Sequence, residues 1–201
     1  MKKHRLDSLT DGIFAVAMTL LVIDLKLPEA VPLHDNEALV QAMADLIPRL
    51  ISWVISFGVL AFFWWGHSRA LHYVREVNGG LVGINLLFLL AVGFTPFASA
   101  VSGTHPLFAA QCVYSVTMAF NALAAMALWR YIYRHPALCE TPMPVEIYRG
   151  SRLRTGMLVV ISVVACAIAW YLPTAGNAAF MLMAFVRPLS RRLGNPGTIV
   201  A

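Results

Sequence analysis

Arg5-Leu6-Asp7-Ser8-Leu9-Thr10-Asp11-Gly12-Ile13-Phe14-Ala15-Val16-Ala17-Met18-Thr19-Leu20-Leu21-Val22-Ile23-Asp24-Leu25-Lys26-Leu27-Pro28 sets the terms on which the rest of this chain is read. A hydrocarbon core about 30 Å thick needs roughly 20 helical residues, and the stretch supplies them. It is not an ordinary apolar span. Charged residues stand at both ends, Thr19 sits within it, and Gly12, Ala15 and Ala17 keep its flanks small. Pro28, which lacks a backbone donor, ends the helix. At about 100° per residue, Val16, Thr19, Leu20, Ile23 and Leu27 fall along one stripe, which Leu9 and Gly12 extend toward the start of the helix. Asp11 lies about 140° from Val16 and so faces packed protein if the stripe faces a pore.

Two readings of this stripe stay open. It is a packing or lipid face, the common use of such spacing. Alternatively it lines a narrow ion path, where branched apolar rings gate by dewetting and Thr19 gives one polar layer. Thr19 has a local option too, a bond to the carbonyl four residues back. Ser8-Leu9-Thr10-Asp11 matches a capping box, in which the acid reaches back to the N-cap amide.

Beyond this stretch the chain stays apolar. Of its 201 residues, 59% are hydrophobic and 12% charged, against about 25% charged in a soluble domain; mean hydropathy is +0.71. A soluble domain, a disordered chain and a coiled coil are all disfavoured. Six apolar segments follow one another: Asp7 to Leu27, Ile47 to Gly66, Gly80 to Val101, Pro106 to Tyr131, Thr155 to Leu172 and Thr174 to Leu193, the sixth being the shortest before a charge, Arg187. The expected fold is a single all-α, multi-pass membrane domain of six transmembrane helices over residues 1–201. No repeat, low-complexity tract or cleavable leader is read in it.

Charge placement orients the helices. With the first end inside, the inner segments carry Lys2, Lys3, Arg5, Arg69, Arg75, Arg130, Arg134, Arg149, Arg152, Arg154, Arg187, Arg191 and Arg192; the outer ones carry only Lys26 and Arg49. This bias puts both termini in the cytoplasm and the protein in the cell membrane. It also accounts for the net charge of +5 without a nucleic-acid partner. The acids Glu29, Asp35, Glu37 and Asp45 gather in the first outer loop, with Asp24 just below, and a short helix is expected from Asn36 to Leu46. The inner loop from His135 to Arg152 is expected to be mobile. Cys112, Cys139 and Cys166 are read as free thiols, since they form no metal or CxxC spacing.

Other chemistries find little support. The six histidines scatter without metal-ligand spacing, and no hydrolase motif occurs, so neither a metal site, a cofactor nor an enzyme is expected. Asn85 and Asn121 read as helix–helix hydrogen-bonding groups. Trp53, Trp64, Trp65, Trp129 and Trp170 mostly sit near segment ends, as interface anchors do, and Thr95-Pro96 reads as a kink.

The first helix resembles that of the transmembrane protein 175 family, lysosomal-type potassium channels with single-repeat prokaryotic members. The resemblance rests on Arg5-xxx-Leu9-Thr10-Asp11-Gly12, Phe14-Ala15, Thr19-Leu20-Leu21 and Asp24-Leu25-Lys26-Leu27-Pro28, with Phe63-Trp64-xx-His67 later. Leu9 stands where the motif has Phe, Thr10 where it has Ser, and Ser68 where a second His is often found; Thr10 keeps the hydroxyl. The resemblance implies a homotetramer in which four first helices surround a potassium-conducting path. Its apolar rings fall on Val16, Leu20 and Ile23 and its hydroxyl layer on Thr19. Arg5, Thr10 and Asp11 then brace the helix, with His67 as partner, and Asp24 draws cations to the outer mouth. The contrasting reading is a secondary transporter, or another six-helix protein, with a site inside each subunit. Such a site calls for an ionisable residue near midplane, and segments two to six have none at their centres.

Overall fold

The computed structural model describes residues 2–27 and 35–183. It is all helical, with no strand among the described residues. Helix α1 spans Lys3–Leu20 and tightens into a 3-10 turn at Leu21–Asp24. A short α2, Asn36–Asp45, precedes α3, Ile47–His72. Then come α4, Gly79–Thr104, α5, Phe108–Arg134, and α6, Val145–Tyr171, followed by a 3-10 run at Pro173–Leu182. Among the described residues, five helices are long and apolar enough to cross a membrane: α1 with its 3-10 turn, α3, α4, α5 and α6. Of the expected sixth segment, 174–193, the described residues hold only part of that 3-10 run and Met183, and the run is not one of these five; the rest lies outside the described residues.

Helix ends follow local chemistry. Asp35 caps α2 by accepting the Ala38 amide at 2.7 Å, and Asn78 caps α4 by accepting the Leu81 amide at 2.9 Å, each satisfying a donor that the first turn leaves open. Gly80 follows because Tyr131, bonded to the Asn78 amide, lies where a Cβ would have to be. The helix α4 continues through Pro96. There the Asn121 amide donates to Thr95 Oγ1 at 3.1 Å and to the Ala91 carbonyl at 3.4 Å, so a neighbouring helix supplies polar partners where proline interrupts the ladder.

One expectation is corrected here. The segment from His135 to Arg152 is ordered: a 3-10 turn at Pro136–Leu138 is followed by a bridge between Val74 and Cys139, and α6 already begins at Val145. Hydropathy finds the apolar part of a helix, whereas α6 carries Arg149, Arg152 and Arg154 beyond that part. Of the tryptophans, Trp129 is buried.

The helices α4, α5 and α6 form the densest part of the bundle, through small buried residues such as Ala122, Ala125, Ala165 and Ala169, which allow close backbone approach. A larger cluster around Phe14, Phe63, Phe88 and Tyr114 joins α1, α3, α4 and α5. A second cluster packs Leu6, Leu71, Leu81, Ile132 and Met143. It places the start of α1, the end of α3, the start of α4 and the end of α5 together, so their arginines share one end of the bundle.

Within the larger cluster the Ser56 hydroxyl meets Ser99 Oγ at 2.8 Å and the Tyr114 hydroxyl at 3.0 Å, all three buried. Interhelical bonds of this kind contribute about 0.6 kcal/mol each on average in membranes. Ser56→Ala strands the Tyr114 hydroxyl, whereas Tyr114→Phe leaves Ser56 bonded to Ser99. Thermal unfolding in detergent is expected to show the larger fall in midpoint for Ser56→Ala, by about 1–2 kcal/mol equivalent; equal losses would mean the hydroxyls act independently.

Candidate functional site: the free face of the first helix

Helix α1 buries a narrow stripe. Leu6, Thr10, Phe14, Ala17 and Leu21 turn inward at intervals of three and four residues, the spacing of one helix face. Phe14 packs on Phe88 of α4, with ring centroids 5.8 Å apart. Phe88 also meets Phe63 of α3 at 6.0 Å and stacks on His67 at 5.4 Å. One buried ring therefore gathers three helices.

Beside it runs a line of hydrogen bonds. His67 Nε2 meets Asn85 Oδ1. Asn85 Nδ2 donates to Thr10 Oγ1 at 3.1 Å, and Thr10 Oγ1 donates to the Leu6 carbonyl at 2.9 Å. The Asn85 carbonyl faces the ring, so the His67 nitrogen donates to it. All three side chains are buried, and unpaired polar atoms in such surroundings are costly; each one here satisfies the next. Asp11, about 100° round the helix from the centre of the buried stripe, is exposed and accepts Trp64 Nε1 of α3 at 2.8 Å.

The structure thus brings Thr10 and His67 together through Asn85 and ties Asp11 to α3 by a separate bond. Arg5 is exposed and takes no part in that line. The capping box is not formed, because α1 begins at Lys3 and Ser8 lies in its second turn, with Oγ donating to the His4 carbonyl at 2.9 Å. Sequence pattern marked Asn85 as a helix–helix group. Trp64 as the Asp11 partner carried no such mark, since 53 residues separate the two.

The residues of the proposed ion path lie on the opposite side of α1. Val16 is 56%, Leu20 40% and Ile23 53% exposed, and Thr19 is exposed as well. None is covered by its own protomer. The Thr19 hydroxyl approaches two carbonyls of its own helix, Ala15 at 3.0 Å and Val16 at 2.9 Å, so its single proton is committed to the backbone and its lone pairs are left as acceptors. Val22, absent from the sequence-derived stripe, is 49% exposed too. The tighter winding of the 3-10 turn brings it round, since each residue there advances by about 120°. Asp24 ends that turn. No cluster of three or more potential metal-binding side chains occurs among the described residues.

This arrangement, a helix anchored along one edge with an apolar, hydroxyl-bearing face left open, accompanies clear relationships. The sequence profile of the family described as endosomal/lysosomal potassium channel TMEM175 matches residues 5–96, which hold α1, α3, His67 and Asn85. A potassium channel of Streptomyces collinus is 32% identical over 155 residues, 75% of this chain and 74% of that one. The endosomal/lysosomal proton channel TMEM175 of Homo sapiens is 27% identical over 177 residues, 83% of this chain but 34% of that protein. The crystal structure of a lysosomal potassium-selective channel TMEM175 homolog from Chamaesiphon minutus has the same fold, with a TM-score of 0.75 at 24% identity over 94% of this chain and 97% of that one. A multi-pass membrane protein with these relatives and this first helix belongs to the TMEM175 family, a family of ion channels and not of enzymes.

Proposed function

We propose that the chain is a potassium-permeable cation channel of the cell membrane, a homotetramer in which α1 of each subunit lines a central path. The observation that carries this reading is the exposure of Val16, Thr19, Leu20 and Ile23 on the face of α1 opposite its packed edge. A face left open by its own protomer is available to a symmetry axis. The names of relatives, potassium channels among them, support the same reading.

In this reading six helices cross the bilayer. The arginine-rich end of the bundle is cytoplasmic, as positive charge favours, and so are both ends of the chain. Potassium is the permeant ion and no cofactor takes part. Val16, Leu20 and Ile23 form apolar constriction rings. A branched apolar ring cannot replace a hydration shell, so ions pass it hydrated in part, or the ring dilates. Thr19 gives a ring of acceptors, and Asp24 raises the cation concentration at the outer mouth. Selectivity for potassium over sodium is then modest and rests on the easier dehydration of potassium. Thr10, Asp11, His67 and Asn85 brace α1.

A site inside each subunit has less support. No Asp, Glu, Lys or Arg is buried among the described residues. The buried amides and hydroxyls mostly satisfy one another, Trp53 Nε1 and Asn121 Oδ1 being without a partner.

Reconstituted in liposomes, the protein is expected to pass potassium faster than sodium. Val16→Asn and Ile23→Asn are each expected to raise flux several-fold and narrow that difference, because a polar ring wets the constriction. Flux and ion preference unchanged by both substitutions would remove these residues from the path.

A second outcome concerns the brace. Asn85→Ala leaves both His67 and Thr10 without their buried partner, at about 1–3 kcal/mol per stranded group. Asp11→Ala removes one exposed bond to Trp64. On a sizing column in mild detergent, Asn85→Ala is expected to lose most of the tetramer and Asp11→Ala a smaller part. An unaltered tetramer peak for both variants would separate the brace from assembly.

A further inference from the structure

Cys112 of α5 and Cys166 of α6 face each other with their Sγ atoms 2.8 Å apart, and neither is in a disulfide. We propose that this pair is a redox modification site that closes to an intramolecular disulfide under peroxide. The inference stands on the geometry of the pair; only its placement on the outer side rests on the orientation proposed above.

Three features support it. The helices that carry the pair are the most extensively packed in the bundle, so the sulfurs are held together by the scaffold and no segment has to move far. Both thiols are half-buried. Cys166 also lines an open groove of about 580 Å³ on the surface of α5 and α6, with Ser115, Val116, Ser162 and Trp170 around it. The pair also lies near the helix ends remote from the arginines. Cys112 is four residues into α5 and Cys166 five from the end of α6, so each is roughly 6–8 Å from its end at 1.5 Å per residue. Trp170 packs edge-on against Phe108 there, with ring centroids 4.9 Å apart. With the arginines inside, this is the outer side, where disulfides persist.

The groove at Cys166 assigns the roles. The Cys166 thiolate attacks one peroxide oxygen and the O–O bond breaks. The departing hydroxide takes up a proton, giving water and a sulfenic acid on Cys166. The Cys112 thiolate then attacks the Cys166 sulfur. An S–S bond forms, the S–O bond breaks, and the second hydroxide leaves as water with the remaining thiol proton. The two thiols together lose two electrons and two protons, and hydrogen peroxide becomes two waters. Cys139 is the internal control. It lies in the cluster at the opposite end, and burial pushes its thiol up.

The test uses the full chain in liposomes, exposed to hydrogen peroxide, then denatured and capped with a maleimide-polyethylene glycol. Three thiols take the label before treatment; one is expected after it, with the intact mass lower by two hydrogens and full reversal by dithiothreitol. Peptide mapping of the untreated and treated native chain is expected to link the Cys112 and Cys166 peptides, so the answer does not hang on any variant. Cys112→Ser and Cys166→Ser are each expected to abolish that link, and Cys139→Ser to leave it intact. Three reactive thiols after peroxide, a bond between subunits, or a stable oxyacid on Cys166 beside a free Cys112 would each overturn the proposal.

Discussion

The structure depends on one constraint: polar side chains inside an apolar bundle must find one another. His67 of α3, Asn85 of α4 and Thr10 of α1 do so in a single directed line that ends on the Leu6 carbonyl. The consequence reaches beyond stability. Thr19 lies nine residues after Thr10, about 180° around the helix. The bond that turns Thr10 inward therefore turns Thr19 outward. Phe14, wedged on Phe88 one turn after Thr10, holds the same rotation by shape. Polar satisfaction and ring packing agree on one orientation of α1, and this agreement leaves the Thr-bearing face open.

Much of this was legible in the sequence because its determinants are local. The stripe of Val16, Thr19, Leu20 and Ile23 follows from helical periodicity alone, and the long apolar segments follow from composition. What was not legible depends on distant partners or on how far helices outrun the apolar region. The Asp11–Trp64 bond joins residues 53 positions apart with no shared pattern. The capping box at Ser8 was misread because hydropathy starts the helix at the membrane edge, whereas the backbone starts it at Lys3. The early start of α6 at Val145 has the same origin. The bridge between Val74 and Cys139, which orders the connection after α5, is a long-range pairing that neither segment signals by itself.

Helix α1 and the rest of the bundle are built differently. The helices α4 to α6 approach closely over alanines and serines, and their hydroxyls are absorbed into local carbonyl bonds, as with Thr117, Thr155 and Ser162. They form a stiff support with no polar function at its centre. Helix α1 rests on this support by one narrow edge, and much of its surface, like that of α3 and α6, remains outside the protomer. Without lipid-excluding packing between helices, a bilayer gives little reason to hold such a helix in place. Its rotation is therefore fixed by the few directional contacts at Thr10, Asp11 and Phe14.

The chemistry of the open face follows from how Thr19 is bonded. A serine or threonine hydroxyl has one proton and two lone pairs. With the proton shared between the Ala15 and Val16 carbonyls, what projects from the helix is a pure acceptor. Rings of such oxygens attract cations and offer nothing to anions. Sign selection can thus be set by an internal bond of α1, without any fixed charge at that depth. In the proposed tetramer the apolar rings on either side would then set how readily water and ions pass, while Thr19 sets which sign of charge is tolerated. That division of labour needs only one helix per subunit, provided its rotation is fixed, and the Thr10–Asn85–His67 line fixes it.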